Sequence, residues 1–157
     1  MQQSPKGQFK KFNAKEYRVA LVVAQFNRDI TEAITQHAVA ALAEYGVLEE
    51  NIPIHRVSGS VEIPVILKAL VDTNRYDAII AVGAIIRGST DHYTHVANIV
   101  VDGVNRTMAA GIPVGFAVLT VENHAQAVER LDIGRDAAVA ALQAAKIVKN
   151  IEKVSEK

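Results

Sequence analysis

The sequence predicts an α/β protein, a three-layer α/β/α sandwich built on a central four-stranded parallel sheet. Three observations carry that prediction. Four short, β-branched apolar runs alternate with stretches of helical periodicity. Two of the runs are continuously apolar rather than alternating, as strands buried on both faces are. The length, 157 residues, suits one core.

The first 16 residues are polar and are expected to form an arm, leaving one domain over residues 17–152 and a charged end, residues 153–157, expected to fray. The run "RVALVVAQFN" (Arg18 to Asn27) reads as the first strand. A helix then starts at Asp29, with Ile30, Ile34, Ala38, Ala41, Leu42 and Tyr45 on one face and Gly46 as its C-terminal stop. "IPIHRV" (Ile52 to Val57) gives a short second strand, and "VEIPVILKALVDT" a second helix, with Ser60 as N-cap and Pro64 tolerated in the first turn. "YDAIIAVGAII" (Tyr76 to Ile86) is the third strand; the helix after it places Val96, Ile99, Val100, Val104 and Met108 at helical spacing. "IPVGFAVLT" (Ile112 to Thr120) is the fourth strand, and "ENHAQAVERL" and "RDAAVAALQAAKIVKNI" are two closing helices. A sheet of this kind is flavodoxin-like.

Composition removes several classes of function. Lys plus Arg balances Asp plus Glu at 17 each, so no basic surface is set up for nucleic acid; the one basic run, "KGQFKK", reads as a solvated arm. The chain has no cysteine, which excludes disulfides, thiolate catalysis and cysteine-bound zinc. No apolar leader or membrane-spanning run is present, and the expectation is a soluble, cytoplasmic protein with no membrane partner. Signatures for dinucleotides, the P-loop, HExxH zinc and EF-hand calcium are all missing.

In a parallel sheet ligands bind beyond the carboxyl ends of the strands. Those ends here are "AQFN", "RVSGSVE", "IIRGST" and "AVLTVEN". In "RGST", Gly88 lets the backbone turn tightly, and Ser89 and Thr90 precede a helix whose N-terminus favours anions, so the four residues form either a phosphate seat or an ordinary cap. His92 stands in the first turn of that helix, as a proton carrier at neutral pH or a loop histidine. His92 and His95 have metal-ligand spacing but no evident third ligand. Phe26 and Phe116 are strand-end aromatics that either line a slot for a planar ring or belong to the core. Glu62 opens a helix as a capping acid or an acceptor for a polyol, and Arg130 lies late in a helix.

Taken in order, "AQFN", "VSGSVEIP", "AVGAIIRGSTDHYTHVAN", "IPVGFAVLTVEN" and "AVER" resemble the lumazine synthase family, from about Phe9 to Ile147. The resemblance implies condensation of 5-amino-6-(ribitylamino)uracil with 3,4-dihydroxy-2-butanone 4-phosphate to 6,7-dimethyl-8-ribityllumazine, in riboflavin biosynthesis, without metal or organic cofactor. By the same resemblance, Phe26 stacks on the pyrimidine; Ser60, Val61 and Glu62 bind the ribityl chain; and Ile86 supplies backbone contacts. Ser89, Thr90 and Arg130 hold the phosphate, His92 moves protons with Asp136 to orient it, and Phe116 reaches a neighbouring subunit's site. It also implies a homopentamer, or a sixty-subunit shell built from pentamers.

The chain departs from the family's pattern in places. It reads Val57, Ser58, Gly59 where "VPG" is usual, Val61 where an aromatic is common and Ile99 where Glu is common; the helix before "GIPV" is one residue shorter. After Arg130, "LDIG" replaces a longer stretch whose lysine aligns with Ile133, and Arg135 is the nearest candidate replacement. Two other readings stay open on these residues: a non-catalytic assembly or flavin-binding protein on the same scaffold, and a related riboflavin synthase.

Overall fold

A computed structural model describes residues 9–155. Its sheet contains β1 (Val19–Ala24), β2 (Ile54–Val57), β3 (Ala78–Ile86) and β4 (Val114–Val121), all parallel, in the order β2-β1-β3-β4. The helices are α1 (Arg28–Glu44), α2 (Ile63–Asp72), α3 (His92–Ala109), α4 (His124–Val128) and α5 (Ile133–Ser155). The three-layer expectation holds: α1 and α5 cover one face of the sheet, α2 and α3 the other.

The period of two along each strand divides the core. Val19, Leu21 and Val23 of β1, with Ala78, Ile80 and Val82 of β3, pack under α1 and α5. Ala20, Val22 and Ala24, with Ile79 and Ala81, pack under α2 and α3. Both faces are covered, which is why these strands read as unbroken apolar runs.

α1 buries the expected stripe, Ile30, Ile34, Ala38, Ala41 and Leu42, and also Thr35, whose hydroxyl donates to the Thr31 carbonyl at 2.7 Å. Gly46 follows at φ +85°, the left-handed stop that glycine adopts without steric cost. The arm is anchored where it meets the domain. Ala14 is buried and donates its amide to the Tyr45 carbonyl at 2.8 Å, and Phe12 packs edge-on against Tyr17 and Tyr45, each ring at 5.5 Å.

Several expectations are corrected. Strands β1 and β2 are shorter than their apolar runs: β1 closes at Ala24, with the Gln25 amide giving a last bond to the Val57 carbonyl before the chain turns, and a single 3-10 turn, Glu49–Asn51, precedes β2. Ser60 does not cap α2. It opens a 3-10 turn, Ser60–Glu62, and is buried with its hydroxyl against Gly83, while the Glu62 carboxylate accepts the Gly59 amide at 2.9 Å. On α3 the buried face is Val96, Val100, Gly103, Val104 and Thr107; Ile99 and Met108 are exposed, since the helix rests on the sheet through a narrower stripe than the apolar spacing suggests.

α4 is a five-residue helix, capped by the Asn123 side chain, which accepts the Gln126 amide at 3.0 Å. Arg130 therefore sits in the turn after a helix, not late within one. α5 starts at Ile133, two residues earlier than the pattern suggests, and stays helical through Ser155, three residues beyond the expected end of the domain. No helix among the described residues is long and apolar enough to cross a membrane.

Candidate active site

The carboxyl ends of β1 and β3 and the turn after β2 enclose a cleft of about 280 Å³. It is lined by Phe26 and Asn27 after β1, by Gly59, Ser60, Val61 and Glu62 after β2, by Ala84, Ile85 and Ile86 at the end of β3, and by His92 and Val96 on α3. Parallel strands that stop at a common edge deliver these residues to one place.

Each wall has a local cause. At the β1 end, Asn27 adopts the left-handed conformation (φ 54°, ψ 52°), ending the strand and opening α1 through its carbonyl, which accepts the Ile30 and Thr31 amides at 3.0 Å each. Phe26 just before it is 71% exposed, an aromatic presented at the cleft rather than used for the core. At the β2 end, Gly59 lets the Phe26 ring lie against the turn: a Cβ at that position would stand 3.3 Å from Phe26 Cδ2. Glu62 commits Oε2 to the Gly59 amide, and Oε1 has no hydrogen-bond partner among the described residues. The capping and acceptor readings of Glu62 are thus compatible.

The Arg87–Asp91 connection carries the "RGST" residues. Arg87 donates its amide to the Val121 carbonyl at 2.9 Å and pairs with Glu122 at 3.3 Å, which ties the ends of β3 and β4 together. Gly88 is not required by backbone strain, because its φ lies outside the left-handed region and an added Cβ would meet nothing within 4 Å. This corrects the expectation that the turn needs glycine. Ser89 and Thr90 are exposed, and their hydroxyls make no hydrogen bond among the described residues; the N-cap position of α3 is Asp91, whose side chain makes no cap bond either. Ordinary capping therefore does not account for Ser89 and Thr90. His92 follows in the first turn of α3, exposed, and its ring has no hydrogen bond or ion pair among the described residues. No group of three or more His, Asp or Glu side chains able to hold a metal occurs among them.

Five expected residues do not line this cleft: Ser89 and Thr90, in the connection just described, and Phe116, Arg130 and Asp136. Phe116 is the third residue of β4, not a strand-end aromatic, and is 39% exposed on an edge strand of the sheet. Arg130, in the turn between α4 and α5, donates Nη1 to the Gln126 carbonyl at 2.6 Å and pairs with Glu129 at 3.3 Å. Asp136 lies in the first turn of α5, its amide donating to the Asp132 carbonyl at 3.1 Å.

The turn that holds Arg130 is clipped to α1 from both sides. His124 meets Asp29 at 2.6 Å, a bond that holds the Asp29 carboxyl below its usual range, and His37 meets Asp132 at 3.0 Å. Ile133, where the family lysine aligns, packs against the α1/α5 core. Arg135, the nearest candidate replacement for that lysine, is turned to α1: both of its terminal nitrogens bond Glu44, at 2.6 and 2.7 Å.

Asn27 was not singled out by the sequence, although an Asn directly between a strand and a helix is one of the few non-glycine residues that enters the left-handed region readily. The family model for 6,7-dimethyl-8-ribityllumazine synthase matches residues 16–149. The 6,7-dimethyl-8-ribityllumazine synthase of Albidiferax ferrireducens is 43% identical over 143 residues, covering 90% of this chain and 91% of that protein.

Proposed function

The chain belongs to the 6,7-dimethyl-8-ribityllumazine synthase family, and from that membership we propose that it condenses 5-amino-6-(ribitylamino)uracil with 3,4-dihydroxy-2-butanone 4-phosphate to form 6,7-dimethyl-8-ribityllumazine, a step of riboflavin biosynthesis. The observation that carries the reading within the fold is the convergence of Phe26, Ser60, Val61, Glu62, Ile86 and His92 on one cleft.

In this reading the pyrimidine stacks on the exposed Phe26 ring, with backbone contacts at Ile86. The ribityl chain lies along Ser60, Val61 and Glu62, where Glu62 Oε1 accepts hydroxyl protons. The phosphate of the four-carbon substrate sits by the unsatisfied hydroxyls of Ser89 and Thr90 at the N-terminus of α3, with Arg130 as its guanidinium partner.

The reaction needs no covalent protein nucleophile. The pyrimidine 5-amino nitrogen attacks the ketone carbon, and loss of water gives an imine. Removal of the proton on the hydroxyl-bearing carbon then drives the phosphate out, the enol left behind tautomerises to a second carbonyl, and the ribityl-bearing nitrogen closes the ring on it with loss of a second water. One phosphate and two waters leave per lumazine formed. His92 takes and returns the protons at these steps, oriented by Asp136. Holding amine and ketone together converts a bimolecular encounter into an intramolecular one, worth up to roughly 7–11 kcal/mol when well aligned.

Phe116, Arg130 and Asp136 lie outside the cleft of their own chain, which supports a site completed by a neighbouring subunit. Exposed Ile99, Val101 and Met108 on α3, with Phe116 on β4, supply apolar surface for that contact. The assembly we propose is a homopentamer, the closed form of a head-to-tail interface, with a sixty-subunit shell as its higher form. The protein works in the cytoplasm, with no cofactor or metal and no nucleic-acid or membrane partner.

The test mixes purified protein with the aminopyrimidine and the butanone phosphate and follows lumazine absorbance and fluorescence. An enzyme-dependent rate above the spontaneous reaction is the expected result, unaffected by a chelator. No acceleration from folded protein would leave the non-catalytic scaffold as the better reading.

A further inference from the structure

We propose that Asn27 is a positioning residue for this reaction, fixing the Phe26 ring at the mouth of the cleft; its kinetic consequence rests on the function proposed above. An aromatic side chain 71% exposed on a loop ordinarily turns freely. Phe26 is instead bracketed on both sides. Before it, the Gln25 amide donates to the Val57 carbonyl at 2.9 Å. After it, Asn27 takes the left-handed conformation and sends its side-chain Nδ2 across to the Ala84 carbonyl, at 2.8 Å.

That second bond replaces something the sheet lacks there. The β1–β3 register ends at the Val23–Val82 pair, so Ala84 lies beyond the paired residues of β1. Asn27 continues the tie between the two strands with a side chain, at the floor of the cleft it also lines. The ring itself rests on Gly59, where an added Cβ would lie 3.3 Å from its Cδ2 and 3.7 Å from its Cε2. Asparagine is the residue type that meets both demands at once: it tolerates the left-handed region, and its amide donates. Glycine meets only the first demand. Aspartate would set a carboxylate against a carbonyl oxygen.

The chain contains no tryptophan, so Phe26→Trp introduces a single fluorophore at the position in question. Time-resolved anisotropy of that indole is expected to decay with the whole molecule when Asn27 is present, and to gain a fast local component when Asn27→Gly is added. Asn27→Asp, which also keeps the left-handed preference, serves as the second variant should Asn27→Gly not fold. In the Phe26 background, Asn27→Gly should raise the KM for the aminopyrimidine about fivefold, the worth of one net hydrogen bond. The kcat and the KM for the butanone phosphate should stay within about twofold. In a Phe26→Ala background the same change should have no further effect, because the two residues act as one unit.

An indole equally immobile without Asn27 would overturn the proposal, as would a fivefold loss that persists in Phe26→Ala. A wild-type protein that forms no lumazine would overturn the proposed function instead, while the anisotropy would still decide whether Asn27 holds the ring.

Discussion

Arg135 closes a two-point bond on Glu44, Nη1 to Oε1 at 2.6 Å and Nη2 to Oε2 at 2.7 Å, joining the first turn of α5 to the last residue of α1. A planar guanidinium held at both terminal nitrogens by one carboxylate has its charge already matched, so it offers less to a second anion. Arg135→Ala should therefore leave the KM for the butanone phosphate unchanged. Its cost should be in stability, small as for exposed ion pairs generally, read from the midpoint of denaturant unfolding. A raised KM for the phosphate substrate would mean that Arg135 leaves Glu44 on binding.

The same pair sets a pH dependence. The hydrogen bonds from Arg135, with Lys11 at 3.4 Å, hold the Glu44 carboxyl down to about 2, well below the 4.5 of an ordinary glutamate. A carboxyl depressed in the folded state contributes stability above its unfolded pKa and loses it as pH falls through the folded value. Comparing wild type with Glu44→Gln across pH should show the wild type more stable at neutrality, with the gap closing between pH 4.5 and about 2. A gap that is constant through that window would remove Glu44 from the acid response.

Arg130 is the arginine proposed for the phosphate, and its present bonds, to the Gln126 carbonyl and Glu129, hold it at the turn without enclosing it in a carboxylate fork. Arg130→Ala should raise the KM for the butanone phosphate roughly 10- to 100-fold, the range for a charge-assisted bond, and leave the aminopyrimidine KM nearly unchanged. Equal changes in both constants would place Arg130 elsewhere in the site.

The sheet and the cleft differ in how far the sequence exposes them. β1 and β3 are legible because burial on both faces leaves no polar position in Val19–Ala24 or Ala78–Ile86. Phe26, Glu62 and His92 are legible as cleft residues because each follows a strand end, and parallel strands stop at a common edge. The direction of Arg135 is not, since its partner Glu44 is 91 residues away in the chain. Nor is the length of α4, which depends on where the Asn123 cap and the buried Ala127 allow the chain to turn. Ile99 and Met108 follow the helical period yet face solvent in the single chain, because periodicity identifies an apolar face without saying what covers it. The backbone of Asn27 is a fourth case, as a left-handed residue is a property of the turn and not of the composition around it.

His92 carries the next prediction, since it lines the cleft and its ring is uncommitted among the described residues. Positioned proton transfer contributes about 10²- to 10⁴-fold, so His92→Ala should lower kcat by about 10² or more while the aminopyrimidine still binds, as measured by steady-state kinetics alongside direct titration of the pyrimidine. Unchanged kcat would remove His92 from the proton transfers and leave catalysis to positioning alone.

The last prediction concerns what keeps the Arg130 turn in register with the cleft. α5 lies close against α1 at Gly134, where an added Cβ would collide with the Ile34 carbonyl oxygen, a backbone atom that cannot swing aside. Gly134→Ala must push the start of α5 away from α1, at a cost of about 1–3 kcal/mol for overpacking. The same shift would strain the His37–Asp132 contact at 3.0 Å and move the turn that carries Arg130. Thermal unfolding should show the lost stability, and kinetics should show a raised KM for the butanone phosphate with the aminopyrimidine KM unchanged. Gly88→Ala is the matched control, because its Cβ would meet nothing and its φ is ordinary; its stability should stay within about 0.5 kcal/mol of wild type. If Gly134→Ala lowers stability without touching the phosphate constant, the α1–α5 contact is a support for the fold and not for the phosphate seat.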